Sequence, residues 1–355
     1  MQKPVSVEQW SDIESQGWQS LIVGNGGSIA VHPQFNYASL LTEAIRISPN
    51  GINIRRLFDA LDTTDFEYVL AKLRSAGEVL KGLDLTVPEV GQYQAEVKEA
   101  LVRAVHSVHP NYADVEDQLR LVGAFLRRFR KAAVLNYDVL VYWAMLLVND
   151  QIRLSIKDGF TPSKVDQALR FWDDWPNLLN SYNNVAKPTL VVYPHGALML
   201  ESERLGGTAK IVSDGSISAS DSRSKLLTTI TANWEDKDVV PLFVSEGDSN
   251  QKSAAINRNH YLSVVNRHVL RTFGPNVVIY GWSIGKQDAH IASQVFRARN
   301  SPSVQNVAVS VRTIGLSSEQ ISEHCLTIDE LLHRFNSSIS VRYFDADSAG
   351  AWCHD

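Results

Sequence analysis

The sequence predicts an α/β fold of the Rossmann-like kind, with a mostly parallel sheet that carries helices on both faces. The first observation is the apolar run Leu21–Val23, which ends abruptly in the glycine-rich turn Gly24–Ser28, as a buried strand before a helix does. The second is the alternation of short apolar runs with helical patterns over residues 190–343. The third is an almost wholly helical stretch from residue 40 to residue 130, which predicts a large helical insertion.

The first part of the chain is expected to contain one strand and then helices. Trp10 and Trp18, within residues 1–19, are expected to pack outside the first strand, Ser20–Val23. After the glycine turn, a helical pattern is predicted to begin near Asn36 and to continue from Leu40. The insertion is expected to consist of amphipathic helices with capping residues or a proline in the first turn. These helices are a segment from Thr63 to Val79, Pro88–Val108 and Val115–Phe129.

The second part of the chain alternates between strands and helices. The predicted strands are Ala132–Leu135, Thr189–Tyr193, a weak one at Ala209–Val212, Val239–Val244, Asn276–Tyr280, Val307–Val311 and Ile339–Tyr343. The predicted helices are Ile256–Phe273, Asp288–Arg299 and Ser318–Phe335, and a mobile loop is expected at Ser213–Ser224. The chain thus divides into a Rossmann-like domain of residues 1–39 and 131–345, the insertion 40–130 and a C-terminal tail 346–355.

Composition excludes several functional classes. The formal net charge of −5 gives no basic surface of the kind that binds nucleic acid. No apolar run approaches the length of a membrane span, and the N-terminus, Met1–Ser6, lacks the basic and apolar regions of a signal peptide. With only Cys325 and Cys353, the chain has neither a disulfide framework nor a four-cysteine zinc site. We therefore expect a cytoplasmic protein that binds neither membranes nor nucleic acid.

Polar or glycine-bearing clusters follow five of the predicted strands. They are Gly24–Ser28, Asn136–Asp138, His195-Gly196, Ser245–Gly247 and Gly281–Ser283. In open parallel sheets ligands bind at the carboxyl edge, so these clusters together predict a ligand site.

Each cluster taken alone also has a purely structural explanation. A glycine turn such as Gly24–Ser28 is equally compatible with a βα connection that binds nothing. Asn136 and Asp138 are both suited to capping the helix that follows them. His195 is equally compatible with a histidine that is simply hydrogen-bonded at the end of a strand.

Other known signatures fit poorly. The third glycine of a dinucleotide fingerprint would fall at Ile29. Gly281–Gln287 is one residue short of a phosphate loop, and Gln287 replaces the serine or threonine that would hold magnesium. A Gly-x-Ser-x-Gly nucleophile elbow is missing from the sequence. No metal is expected, because histidines four residues apart on one helix are missing among the possible ligands His195, His290, Asp138 and Asp288.

A set of motifs recurs here in a characteristic order. They are Gly24-Asn-Gly-Gly-Ser28, Asp65-Phe66-Glu67, Asn136-Tyr137-Asp138, His195-Gly196, Phe243–Gly247 and Gly281-Trp-Ser-Ile-Gly-Lys-Gln-Asp288-Ala-His290-Ile291. In order and spacing they resemble the motifs of sirtuin-like NAD-binding proteins, and more closely those of a bacterial sirtuin-like branch catalogued as a domain of unknown function. The resemblance extends over about residues 20 to 300.

The resemblance implies that NAD is bound as the substrate. In that case Gly24–Ser28 would cradle the pyrophosphate, and Asn136 and Asp138 would hold the nicotinamide ribose and position the attacking group. His195 would be the general base, since the ordinary pKa of imidazole is near neutrality. The implied cofactor-binding residues, with Gly281 and Ser283 on the adenosine side, are Gly24, Asn25, Gly26, Gly27, Ser28, Tyr37, Gly196, Gly281, Ser283 and Asp288.

Departures from the deacylating sirtuins narrow the predicted activity. The chain has no four-cysteine zinc module, its turn lacks the alanine usual in deacylases, and its tripeptide is Asn136-Tyr137-Asp138. These differences count against protein deacylation and favour an NAD glycohydrolase, which in related bacterial proteins serves anti-phage defence by NAD depletion. The alternatives are a non-catalytic sensor of NAD or an ADP-ribose-type nucleotide, and an interaction protein with an inactive site. A homo-oligomer or a partner-activated complex is expected by family analogy.

Overall fold

The computed structural model describes residues 5–36, 39–64, 66–85, 87–164, 167–181, 187–203, 207–213, 218–236, 240–244 and 249–355. In these ranges the chain forms two sheets packed among helices, with strands and helices numbered here in chain order. The predicted α/β fold with a mostly parallel sheet is confirmed.

The larger sheet has eight strands, and all of its neighbouring strands run parallel. They are β1 (Val7–Glu8), β2 (Ser20–Val23), β3 (Lys131–Val134), β4 (Ile156–Lys157), β7 (Thr189–Val192), β11 (Asn276–Tyr280), β12 (Asn306–Val311) and β13 (Ser340–Asp345). Their spatial order is β1-β13-β12-β11-β2-β3-β7-β4. The central strands are apolar and buried along their length, as expected of parallel strands covered on both faces.

The smaller sheet has five strands and is antiparallel. Its strands are β5 (Phe160–Pro162), β6 (Leu169–Phe171), β8 (Gly196–Ser202), β9 (Thr208–Lys210) and β10 (Val240–Phe243), in the order β10-β8-β9-β6-β5. The two sheets meet where β7 ends and β8 begins, because only Tyr193, Pro194 and His195 separate these strands.

The helices cover the sheets and fill the long connection between β2 and β3. They are α1 (Trp10–Ile13), α2 (Asn25–Val31), α3 (Leu40–Ile47), α4 (Gly51–Ala60), α5 (Phe66–Gly82), α6 (Pro88–Val108), α7 (Tyr112–Leu126), α8 (Leu140–Gln151), α9 (Trp175–Leu178), α10 (Ala219–Asp236), α11 (Ser249–Arg258), α12 (His260–Val264), α13 (Ala289–Val295) and α14 (Ser318–Phe335). A π-helical turn, Val265–Val269, continues α12, and short 3-10 turns occur at Pro33–Phe35, Leu270–Thr272 and Lys286–Asp288. Within the described ranges, no helix is both long and apolar enough to cross a membrane.

Several predicted elements are confirmed closely. Helices α6 and α14 have the predicted bounds, and Ser317 caps α14 through a capping box with Gln320. Buried residues Val115 and Leu119 of α7 join the helices of the insertion to the hydrophobic core. The C-terminal tail is anchored by Trp352, which is buried and stacks on Tyr280 with ring centroids 5.4 Å apart.

Four predictions about the elements are wrong in part. The helix predicted at Ile256–Phe273 is divided at Asn259, whose backbone is extended, between α11 and α12. The helix after β2 begins at Asn25 rather than near Asn36, so the glycine run forms its first turn. The predicted strands at 209–212 and 239–244 exist as β9 and β10, but they belong to the antiparallel sheet. A mobile loop was expected at Ser213–Ser224, but residues 219–224 form the start of α10. There the Ser218 Oγ accepts a hydrogen bond from the Asp221 N–H. Residues 214–217 lie outside the described residues.

The turns after β2 and β11 are in direct backbone contact. The Gly26 N–H donates to the Gly281 carbonyl at 2.8 Å, and a Cβ on Gly26 would lie 2.7 Å from the Gly281 Cα. Gly281 has a φ of +63°, and a Cβ there would meet the Gly27 nitrogen. Trp352 supports this contact from the other side, because its indole N–H donates to the Gly27 carbonyl at 2.8 Å.

We predict that Gly281→Ala destabilises the protein much more than Gly315→Ala. Both glycines have positive φ, but a Cβ on Gly315 meets nothing within 4 Å, so that variant bears the backbone strain alone, about 1 kcal/mol. Gly281→Ala adds a clash with backbone that cannot move away, and we expect a loss of about 3 kcal/mol. Urea unfolding of both variants measures the difference, and equal losses would contradict the close contact.

Candidate functional site

A cavity of about 700 Å³ opens at the carboxyl ends of the central strands. The residues after β2, β3, β7 and β11 all contribute to its lining. The strand order reverses between β2 and β11, since β3 and β7 lie on one side of β2 while β11, β12 and β13 lie on the other. Such a reversal leaves a crevice in which ligands of open α/β sheets bind. The volume is in the range of small-molecule sites.

The cavity brings together about half of the predicted site residues. Those that line it are Gly24, Asn25, Asn136, Asp138, His195 and Asp288. Those that the structure describes outside the lining are Gly26, Gly27, Ser28, Gly196, Gly281 and Ser283. Tyr37, Asp65 and the cluster 245–247 lie outside the described residues.

A chain of hydrogen bonds joins the first turn of α2 to the end of β3. Asp138 Oδ2 accepts the Ser28 hydroxyl at 2.5 Å, and the Ser28 Oγ in turn accepts the Asn136 Nδ2–H at 2.5 Å. Among the described residues, none donates a hydrogen bond to Asn136 Oδ1. The carboxylate therefore sets the direction of the hydroxyl, the hydroxyl sets the orientation of the amide, and the amide oxygen is left to the cavity.

Asp138 also bonds to the backbone at the start of α8. Its Oδ1 accepts the Leu140 N–H at 2.9 Å, while the N-cap position of the helix is occupied by Val139. Burial raises the pKa of the Asp138 carboxyl, while the hydrogen bonds from Ser28 and the Leu140 N–H act to lower it. Asn136 instead directs its amide to Ser28.

His195 lies in the short turn between the two sheets. Its backbone carbonyl accepts the Val244 N–H at 2.7 Å, which ties the turn to the end of β10. Gly196 has a φ of +75°, and a Cβ there would meet the Leu242 carbonyl, so this glycine is explained by the close approach of β10 to β8. Burial, assisted by the charge of Lys252, lowers the pKa of His195 to about 3, and the imidazole is neutral at neutral pH.

Both ring nitrogens of His195 have partners within the protein. Nδ1 is 3.4 Å from the Leu135 carbonyl, and Nε2 is 2.9 Å from Nε2 of His290. A carbonyl only accepts, so a hydrogen on Nδ1 makes Nε2 the acceptor of a hydrogen from His290. In the opposite tautomer Nε2 carries the hydrogen itself. In neither case is Nε2 free to take a proton from a ligand until the contact with His290 opens.

An ion pair lies beside these histidines. Asp288 Oδ1 accepts the Lys252 ammonium at 2.8 Å and is 3.9 Å from His195 Nε2, and Asp288 Oδ2 accepts the Trp282 indole N–H at 3.1 Å. Burial acts to raise the pKa of Asp288, but the charge and hydrogen bond of Lys252, with the hydrogen bond from Trp282, act to lower it, and the pKa lies below its usual value. Asp288 is therefore an anion that positions a buried ammonium and an indole at the cavity wall.

The helical insertion supplies another part of the lining. The end of α4 and the residues after it contribute Phe58, Asp59, Asp62 and Thr63. Two carboxylates at the C-terminal end of a helix make this part of the wall electronegative, because the helix dipole has the same sign there.

The glycine turn offers little to a phosphate. The Gly24, Gly26 and Gly27 N–H groups already donate to the carbonyls of Tyr280, Gly281 and Gly24, respectively. Packing explains the glycines of this turn without a ligand: a Cβ on Gly24 or Gly26 would meet Gly281, and a Cβ on Gly27 would meet Val23. The pyrophosphate cradle at Gly24–Ser28 stays a prediction that these amides do not support.

Sequence reasoning assigned no role in this site to Lys252, Trp282 or His290, nor to the polar residues that the insertion contributes. The sequence around Lys252 carries no apolar periodicity that would have marked this lysine as buried. His290 and Trp282 lie within a motif that was identified, yet their contacts depend on tertiary structure. In the described part of the chain, no group of three or more His, Cys, Asp or Glu residues is arranged to hold a metal ion.

Comparison with known proteins gives one match. The profile of a family described as "Domain of unknown function (DUF4917)" matches residues 21–352. This range runs from β2 to Trp352 and so includes every element that lines the cavity. No curated protein matches the chain.

We predict that His195→Gln reduces the loss of stability at acid pH. The pKa of His195 is lowered from 6.5 to about 3 in the folded protein, so as pH falls from 6.5 to 3 only the unfolded chain takes up the proton. Stability tied to His195 is therefore present above pH 6.5 and is lost on acidification. In the wild type this linkage lowers the free energy of unfolding by up to about 1.4 kcal/mol for each unit that the pH falls, and the glutamine variant lacks it. Urea unfolding between pH 4 and 7 measures it, and parallel curves would contradict a buried neutral imidazole.

Proposed function

The chain belongs to the DUF4917 family, and we propose that it is an NAD glycohydrolase, which uses water to cleave NAD to ADP-ribose and nicotinamide. The observation that carries the proposal is the convergence of Asn136, Asp138 and His195 on one cavity at the reversal of the strand order. The resemblance of the motifs to those of sirtuin-like NAD-binding proteins supports the same ligand.

The charges of the cavity suit this ligand. NAD has a cationic nicotinamide ring and an anionic pyrophosphate. The wall formed by the insertion contributes the carboxylates Asp59 and Asp62, and α11 contributes the ammonium of Lys252. A cavity with both signs of charge favours a ligand that also carries both.

Asn136 is assigned to the reacting ribose. Cleavage of the bond between ribose and nicotinamide passes through an oxocarbenium-like state, in which positive charge develops on the sugar. The amide oxygen of Asn136, whose orientation is fixed by Ser28 and Asp138, stabilises that charge or holds the attacking water. Because the amide is oriented before the ligand binds, little reorganisation is needed in the transition state.

His195 is assigned the role of general base. A neutral imidazole has a lone pair for a proton from water or from a ribose hydroxyl. In the structure the Nε2 of His195 contacts His290, so the substrate must replace that contact before His195 acts. The pKa of His195, about 3, keeps the imidazole unprotonated at neutral pH but also makes it a weaker base than the near-neutral value expected from the sequence, so the role requires a bound substrate that raises this pKa.

A second function is favoured by the same contact. While His195 and His290 are bonded to each other, His195 is not free to act as a base, which supports the alternative of a sensor that binds NAD or an ADP-ribose-type nucleotide without cleaving it. The glycohydrolase and the sensor both bind NAD, but only the glycohydrolase cleaves it. The biological role proposed with the glycohydrolase is anti-phage defence by NAD depletion.

We predict that the purified protein releases nicotinamide from NAD and that Asn136→Ala and His195→Ala each reduce the rate by about 100-fold or more. His260→Ala and Asn306→Ala, at exposed positions on α12 and β12, are the matched controls and keep the wild-type rate. Chromatography of released nicotinamide, with melting curves of each variant, measures the effect.

Two results would contradict this assignment. Turnover that survives in both variants places the chemistry elsewhere in the protein. Calorimetry that shows NAD binding by a wild-type protein without turnover favours the sensor.

A further inference from the structure

A buried ammonium lies on the wall of the cavity and is not used in the mechanism above. Lys252, in the first part of α11, is 6% exposed and lines the cavity. Ile256, one turn further along the same face of α11, is also buried, so the lysine projects inwards rather than into solvent. Lysines are almost never buried to this extent unless they are paired.

The ion pair with Asp288 uses only part of the hydrogen-bonding capacity of the Lys252 ammonium. The ammonium donates to Asp288 Oδ1 at 2.8 Å, and no other described residue accepts from it. An ammonium has three hydrogens, so two remain for a ligand. Asp288 is in turn fixed by the Trp282 indole, which holds the lysine head at a defined place on the wall.

Lys252 also supplies positive charge that can attract an anionic ligand into the cavity. Among the described residues that line the cavity, it is the single lysine or arginine, and His195 is neutral at neutral pH. The turn Gly24–Ser28 does not replace it, because the N–H groups of Gly24, Gly26 and Gly27 donate to protein carbonyls. The Asp288 carboxylate is 3.9 Å from His195 Nε2, so an anion on Lys252 lies next to the proposed base.

We propose that Lys252 is the phosphate-binding residue of the cavity, holding a phosphate group of the ligand with the two ammonium hydrogens that Asp288 leaves free. The assignment rests on the proposed function for the identity of the ligand as a nucleotide with a pyrophosphate. It replaces the glycine turn as the place where the pyrophosphate is bound.

A purely structural ion pair is the competing explanation. Replacing a buried ion pair by apolar side chains is often neutral or stabilising, so such a pair is weak evidence of a role in stability. A structural pair also makes no distinction between ligands with and without phosphate. Binding selectivity therefore separates the two explanations.

The test is calorimetric titration of the full chain with inorganic pyrophosphate, ADP-ribose and adenosine. The variants are Lys252→Met, Lys252→Arg and the double variant Lys252→Met/Asp288→Asn, which leaves no unpaired buried charge. Lys286→Met is the matched control, since Lys286 is exposed and lies two residues from Asp288 without lining the cavity.

We expect the wild-type protein to bind pyrophosphate, and to bind ADP-ribose more tightly than adenosine. Lys252→Met and the double variant should bind pyrophosphate and ADP-ribose about 10- to 100-fold more weakly, as for a lost charged hydrogen bond, with adenosine unchanged. Lys252→Arg should restore most of the affinity, and Lys286→Met should match the wild type.

Three results overturn the assignment: wild-type binding of neither pyrophosphate nor ADP-ribose, unchanged binding of both by the double variant, or an equal loss in Lys286→Met. Failure of the proposed function gives a different pattern. Pyrophosphate binding that depends on Lys252, together with no release of nicotinamide from NAD, rejects the glycohydrolase and leaves the phosphate site in place.

Discussion

The backbone contact between Gly26 and Gly281 is the constraint on which the site depends. It brings the turns after β2 and β11 together at the point where the strand order reverses. Because the turn after β2 is held this closely, α2 begins at once, and Ser28 lies in its first turns beside the end of β3. There Ser28 meets Asp138 and orients the amide of Asn136. The same contact occupies the Gly26 N–H, an amide that a phosphate cradle would need, so packing and phosphate binding compete for it.

Much of the fold could be predicted because its signals are local. Apolar runs identify the central strands, and caps with helical periodicity identify α6 and α14 at their observed bounds. The partners of a strand are not a local property. The apolar run Val240–Phe243 is compatible with a strand of the parallel or of the antiparallel sheet. It belongs to the antiparallel sheet because Leu242 closely approaches Gly196. The start of α2 was missed because glycine disfavours helices, and here the tertiary contact overrides that preference.

The site residues that directly follow strands could be predicted from the sequence, whereas those that lie on helices could not. Asn136, Asp138 and His195 come directly after strands, so parallel topology alone brings them to one edge. Lys252 and His290 reach the same place from α11 and α13, far away in the sequence. Nor does a sequence distinguish a glycine that admits a ligand from one that admits another backbone segment. In its described contacts, the turn Gly24–Ser28 admits another backbone segment. The phosphate cradle was expected because such glycines can also admit a ligand.

The central claim is that the cavity is a nucleotide site in which Asn136 faces the ribose and Lys252 the phosphate. A crystal structure of the protein with ADP-ribose tests it most directly. The account predicts a phosphate oxygen within hydrogen-bonding distance of Lys252 Nζ, the reacting ribose against Asn136 Oδ1, and the contact between His195 and His290 opened. Phosphates on the amides of Gly24–Ser28 with Lys252 bonded to Asp288 alone, or a ligand outside the cavity, would contradict it.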